Sequence, residues 1–143
     1  MTSNVSIQSY NNESHKIGII ELWNIAFNNP TGHNSPELSI AKKQAVNDGL
    51  LFVALRQDKV IGSIMAGYDG HRGWLYSVAV LPNERMQGLG AALVAHAEKA
   101  LTDKGCKKIN LQVVAGNAQV VGFYEAIGYT QEPRISMGKL IGS

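Results

Sequence analysis

This chain predicts a mixed α/β sheet with helices on both faces, and two observations carry that expectation. Segments of strand and helix period follow one another in the order β-α-α-β-β-β-α-β-α-β-β, a layered pattern rather than that of a bundle or a sandwich. The length, 143 residues, suits one domain with a sizeable core, so 1–143 reads as a single domain.

Taken in order, Val5 to Tyr10 reads as a first strand. Asn11-Asn12-Glu13-Ser14 supplies a turn and a helix start. His15 to Phe27 follows, with Ile19, Leu22, Trp23 and Ala26 on one helical face. After the Asn28–Gly32 break, Ser35 caps a second helix with Pro36 at its first position. That helix carries Leu38, Ala41, Lys42, Ala45 and Val46 and stops near Asp48-Gly49. Leu50–Arg56 and Val60–Tyr68, joined by Gln57-Asp58-Lys59, read as a hairpin. Asp69–Gly73 turns the chain into the apolar run Trp74–Leu81, which Pro82-Asn83-Glu84 breaks. A glycine loop, 85–90, leads into Ala91–Leu101, a strong helix former with Leu93, Ala97, Ala100 and Leu101 in one stripe. Lys108–Val114 alternates like a strand, and Asn117 opens a helix to about Ile127. Val120, Val121, Phe123, Tyr124 and Ile127 are its candidate buried or site-facing positions. Tyr129–Thr130 and Ile135–Leu140 read as closing strands around Pro133.

Composition narrows the function. A net charge of +2 is too small to argue for nucleic acid or a membrane surface as partner. Cys106 is the sole cysteine, so no internal disulfide forms; it reads as a small packing residue in a reducing compartment. No apolar run is long enough to span a bilayer, and Met1-Thr-Ser-Asn-Val-Ser lacks a signal pattern, so the expected location is the cytoplasm. His15, His33 and His96 have no ligand-like spacing, and no metal is expected.

The chemistry concentrates at Arg85-Met86-Gln87-Gly88-Leu89-Gly90. The first turn of a helix holds N–H groups without intrahelical partners, and the macrodipole adds partial positive charge there. Glycines lacking Cβ let a phosphate approach the backbone, and Arg85 adds a forked cation. Position 93 is Leu, so the third glycine of a dinucleotide fingerprint is missing, and no Gly-Lys-Ser/Thr follows. On the glycines alone, a tight turn that binds nothing remains an equal alternative.

Arg85-x-x-Gly88-x-Gly90 resembles the acyl-CoA loop, Gln/Arg-x-x-Gly-x-Gly/Ala, of the GNAT superfamily of N-acetyltransferases. Asn117-x6-Tyr124-Glu125-x-x-Gly128-Tyr129 is similar to a second segment of that family, and the element order agrees over nearly the whole chain. Gly67–Gly73, Gly105–Ile109, Ser136–Lys139 and Asn34–Leu38 look like the small bacterial YpeA-type members. The resemblance implies the acyl-CoA N-acyltransferase fold, with a mostly antiparallel sheet, and acetyl-CoA as co-substrate.

It further implies that the loop holds the pyrophosphate and that the strand before it, Val78 to Val80, pairs with the pantetheine arm. Asn117 would hydrogen-bond that arm, and Tyr124 would protonate the departing thiolate. The expected partners are acetyl-CoA and an amine acceptor, in a monomer or homodimer. Family glutamates that take the amine proton are replaced here: the position on the strand before the loop is about Trp74, and that on the next strand is Gln112. Asp69, His71, Glu84 or a water chain remain as candidate bases. Trp23, Phe27 and Tyr68 are candidates for the acceptor pocket, with core packing the plainer reading of the first two. The missing glutamates also fit an acyl-CoA-binding regulator without turnover, and the loop alone fits an unrelated phosphate-binding module.

Overall fold

Five strands lie side by side in the order in which the chain makes them: β1 (Val5–Ser9), β2 (Leu51–Arg56), β3 (Lys59–Tyr68), β4 (Gly73–Val80) and β5 (Ile109–Asn110). The computed structural model describes residues 4–142; Met1–Ser3, part of the stretch read as lacking a signal pattern, and Ser143 lie outside the described residues. The described chain falls into two compact units, Met1–Leu111 and Gln112–Ser143.

In the first unit the first four strands pair antiparallel, and β4 pairs with β5 in parallel. The β2–β3 turn is two residues, Gln57 and Asp58, both at positive φ (49° and 69°), the backbone that a right-twisted hairpin favours. Between β1 and β2 run α1 (Asn12–Ala26) and α2 (Pro36–Val46); α3 (Leu89–Asp103) joins β4 to β5. Two neighbouring residues of β3 show that α1 and α3 cover opposite faces, because successive side chains on a strand alternate. Ser63 is hydrogen-bonded to Trp23 of α1, whereas a Cβ at Gly62 would lie 3.1 Å from Leu93 of α3. The absence of a side chain at Gly62 lets α3 close on the sheet.

Local chemistry explains the helices. Asn11 caps α1 through its side chain, which accepts from Ser14 N at 3.0 Å. His15, Ile19, Leu22 and Trp23 make the buried stripe of α1, as expected for the last three. Phe27, read as core, is instead 39% exposed, because the helix has ended and Phe27 caps it. The face expected for α2 is also corrected. Pro36 and Ile40 are buried with Lys43 half-buried at the next turn, while Leu38 and Val46 are exposed. Lys43 permits this stripe by burying its stem while Nζ pairs with Asp48 at 2.8 Å and donates to Ala66 O.

Gly73 anchors the short β4–β5 contact, which spans only Gly73–Ile109 and Trp74–Asn110. A Cβ there would lie 2.8 Å from Cys106 Sγ, 3.0 Å from Leu101 and 3.3 Å from Ile109. Gly73→Ala is therefore expected to cost about 1–3 kcal/mol, the usual range for overpacking; urea denaturation at constant m-value measures it. Cys106 itself is buried, with Sγ directed to Lys108 O at 3.2 Å, in keeping with a packing role.

In the second unit, α4 (Ala118–Ala126) starts at Asn117, whose side chain accepts from Val120 N at 3.3 Å. The strand expected over Lys108–Val114 is reduced to Ile109–Asn110, and no strand forms at Tyr129–Thr130 or Ile135–Leu140. Pro133 cannot donate to a ladder, and Arg134 N turns back to Glu132 O at 2.8 Å. Ile135 and Met137, which a strand would place together on one face, are exposed, as is Leu140.

Candidate active site

A single inserted residue shapes β4. Ser63 faces Ala79 and Met65 faces Tyr76, so Ser77 and Val78 together oppose one residue of β3. Ser77 adopts φ 51°, the only residue within a described strand at positive φ. Such a conformation costs on the order of 1–3 kcal/mol and persists where neighbours enforce it. The Ser77 carbonyl accepts from Ser63 Oγ at 2.9 Å, and Ser63 Oγ accepts from Trp23 Nε1 at 2.8 Å.

The bulge also decides which way the backbone faces. Gly73 N–H points outward, to Lys108 O at 2.8 Å, yet Leu81 N–H points inward, to Ile61 O at 2.9 Å. Eight residues of regular strand would make these two agree. Counting back from Leu81, the N–H and C=O of Val80 and the N–H of Val78 face the edge away from β3. Because β5 pairs only as far as Trp74, that edge of β4 is open beyond it in the sense that no described strand pairs with it there. Val80 O is met there by Arg85 Nε at 3.2 Å.

The same edge runs through a tight turn, Pro82–Glu84, into the glycine loop. Glu84 is clamped by Arg56 in a two-pronged ion pair, Nη2–Oε1 2.8 Å and Nε–Oε2 3.1 Å. Met86 is fully exposed at φ 66°, and Gln87 is half-buried. Gly88 is the N-cap of α3 at φ 77°, and its C=O takes the first helical bond, from Ala92 N at 3.0 Å. A Cβ on Gly88 would find no protein atom within 4 Å, so space lies open in front of the helix terminus. Leu89 is buried and ties the turn to the core, and Gly90 is half-buried in the first turn. The structure thus brings Val78, Val80 and the 85–90 loop together within the first unit.

Asn117 and Tyr124 belong to the second unit. Asn117 Oδ1 serves the helix cap, which leaves its side-chain N–H₂ as the group for a ligand. Tyr124 is buried, with Phe123 and Tyr129 packed edge-on at centroid distances of 4.9 and 5.6 Å. Burial pushes its phenol above the ordinary tyrosine value, so the proton stays on oxygen at neutral pH.

The candidate bases fare unequally. Hydrogen bonds from Arg56 hold Glu84 below the usual carboxylate range. Asp69 is held low by the backbone N–H groups of Arg72 and His71, each at 2.7 Å. Both carboxylates are therefore weak bases. His71 is exposed in the same turn and its ring makes no hydrogen bond among the described residues. Gln112 is exposed and bonded to Ser136 Oγ, and Trp74 is half-buried on β4. Of the acceptor-pocket candidates, Trp23 is buried, Phe27 is partly exposed, and Tyr68 donates towards Gly70 O and Gly105 O at 3.3 and 3.4 Å. Sequence reasoning passed over Ser63, Ser77 and Arg56. The available signal was Ser63, the one hydroxyl within an otherwise apolar strand, Val60–Ala66.

Comparison with known proteins adds to this geometry. The model of the acetyltransferase (GNAT) family matches residues 17–129. The chain belongs to the GNAT acetyltransferase family. An acetyltransferase of Yersinia pestis (strain Pestoides F) is 40% identical over 106 residues, which cover 74% of this chain and 75% of the relative. Among solved structures, the aminoglycoside N-acetyltransferase AAC(6')-Iy in complex with CoA superposes with a TM-score of 0.78, at 20% identity, over 98% and 97% of the two chains. The ribosomal-protein-S18-alanine N-acetyltransferase of Escherichia coli gives 0.72, at 24% identity, over 90% of this chain and 79% of its own.

Membership makes the protein an acetyl-CoA-dependent acyltransferase with the fold of this family. The family match also runs beyond the loop through α4, which sets aside an unrelated phosphate-binding module. In this GNAT chain the residues present fit the co-substrate on their own terms: an unfilled space before the α3 N-terminus for phosphate, and an open strand edge leading to it. No group of three or more His, Cys, Asp or Glu among the described residues is placed to hold a metal ion, and no helix is long and apolar enough to cross a membrane.

Proposed function

We propose that this GNAT enzyme transfers the acetyl group of acetyl-CoA to a primary amine, on a small molecule or a protein, by direct attack. The observation that carries the reading is the open edge of β4 running straight into the glycine-capped terminus of α3. Both named structural neighbours are N-acetyltransferases, which supports an amine acceptor.

The acetyl thioester supplies an activated carbonyl. N–H groups at Leu89, Gly90 and the loop residues Met86, Gln87 and Gly88 hold the pyrophosphate, with Arg85 as a fixed cation. Val78 and Val80 hold the pantetheine arm, and the Val80 N–H faces the oxygen where negative charge develops. Asn117 donates from its side-chain amide to the same arm. Tyr124 gives its proton to the sulfur as the C–S bond breaks. Neither Glu84 nor Asp69 takes the amine proton, since both are engaged elsewhere; water or His71 receives it. Residues 1–143 act as one catalytic domain, in the cytoplasm.

Arg85→Ala is expected to weaken acetyl-CoA binding by about 1.5–3 kcal/mol, the range for hydrogen bonds to charged groups. Titration calorimetry reads this directly; unchanged affinity would take Arg85 out of the site. Turnover itself is tested by CoA release across a panel of amines. The engaged carboxylates favour one second reading, an acyl-CoA-binding regulator without turnover. Tight acetyl-CoA binding with no CoA release from any amine would select it.

A further inference from the structure

The GNAT reading uses the outer edge of β4, but it leaves open what keeps that edge facing outward. The bulge at Ser77–Val78 turns the strand over, and Ser77 holds an unfavourable backbone conformation to do so. A strand under that demand tends to relax into regular register unless its displaced groups are held. The displaced group here is the Ser77 carbonyl, which has left the β3 ladder and is met by the Ser63 hydroxyl at 2.9 Å.

The polarity of this contact has one solution. Indole Nε1 can only donate, so Trp23 gives its hydrogen to Ser63 Oγ at 2.8 Å. The Ser63 proton is then free to go to the Ser77 carbonyl. Ser63 is completely buried and Trp23 is 2% exposed, so neither has water as an alternative partner. A buried hydroxyl or indole N–H without its partner is costly, and the three groups therefore hold one another in place. Trp23 sits on α1, the helix on the face of the sheet opposite α3 and its loop.

We propose that Ser63 and Trp23 are positioning residues for acetyl transfer. Through the Ser77 carbonyl they lock the β4 bulge, and so aim the Val78 and Val80 N–H groups at the acyl-pantetheine. Neither residue touches the substrate. This inference rests on the reading of β4 as the pantetheine-binding edge.

Amide hydrogen exchange followed by NMR tests it without needing the acceptor. In the wild-type protein, saturating acetyl-CoA should slow exchange at Val78 and Val80 by about tenfold or more, as expected when exposed amides gain partners. In Ser63→Ala, that protection should fall to about threefold or less, while the amides of Leu89 and Gly90 keep theirs. Ser63→Thr, which retains the hydroxyl, should restore protection at Val78 and Val80. Trp23→Phe removes only the indole N–H and part of the ring, and should give an intermediate loss. It also serves if Ser63→Ala does not fold, as a melting curve will show.

With a productive amine, Ser63→Ala should lower kcat by about tenfold or more with KM for acetyl-CoA within about threefold, the split expected when the loop is untouched and the carbonyl contact is not. Full protection of Val78 and Val80 in a folded Ser63→Ala protein would overturn the positioning role while leaving the β4 edge as the binding site. Absence of any protection in the wild type would overturn the edge reading itself, and this inference with it.

Discussion

Gly88→Val is expected to leave a folded protein that no longer binds acetyl-CoA measurably. The position has two properties that pull apart. Its φ of 77° is disfavoured for any side chain and worst for a β-branched one, at a cost of roughly 1–3 kcal/mol. Yet a Cβ there meets no protein atom within 4 Å, so the folded core is not asked to move. The valine methyl groups enter instead the open space before the Leu89 and Gly90 N–H groups, where a phosphate would have to sit. Gly88→Asn separates the two effects, since asparagine tolerates positive φ but still fills the space. Both variants should lose binding by calorimetry, Gly88→Asn with the smaller fall in melting temperature. Normal affinity in folded Gly88→Asn would mean that the space is not the phosphate's.

For Tyr124→Phe the expected loss is in rate. The ring remains, so the edge-on packing against Phe123 and Tyr129 is kept and only the O–H is removed. A positioned general acid contributes typically ~10²–10⁴-fold, so kcat should fall by about that factor. KM for acetyl-CoA should move much less, because the lost contact matures in the transition state. Burial raises the Tyr124 pKa, so the acid form persists beyond neutrality and its alkaline limb in the wild type should lie above about pH 10. A purely structural tyrosine would instead lose about 0.5–1.5 kcal/mol of stability with kcat nearly intact. Pre-steady-state turnover beside a melting curve decides. A chemical step within about threefold of wild type would remove Tyr124 from the reaction, being smaller than the low end of the general-acid range.

What the sequence made legible was what depends on local pattern. The Ile19-Leu22-Trp23 stripe, the Leu93-Ala97-Leu101 stripe, the 51–68 hairpin and the glycine-led start of α3 all follow from spacing and turn chemistry. The errors share a different origin. Lys43 reads as solvent-facing until Asp48 and Ala66 O are seen around its head group, which is why the buried face of α2 was misplaced. Glu84 looked available as a base because its partner, Arg56, lies 28 residues away. The alternation of Ile135 and Met137 suggests a strand, but a strand needs a neighbour that local sequence does not name. In the site, the loop was readable and the bulge was not: serine at Ser77 carries no turn signature, and its support comes from Ser63 and Trp23, far off in the chain.

The inserted residue in β4 has a consequence for how this strand can vary. Direction along a strand has the parity of a count: odd and even positions serve opposite edges. Between Gly73, tied to β5, and Leu81, tied to β3, the count has been shifted by one. Removing two residues from this stretch, or adding two, would keep both ties and shorten or lengthen the open edge. Removing the inserted residue itself would leave seven steps between the two ties, an odd number that a regular strand satisfies without a bulge, so the Val80 amide would still face the outer edge while the unfavourable Ser77 conformation disappeared. Length in β4 is thus coupled to the bulge, independently of which residues fill the strand: an even number of steps between the two ties requires an inserted residue, and an odd number does not.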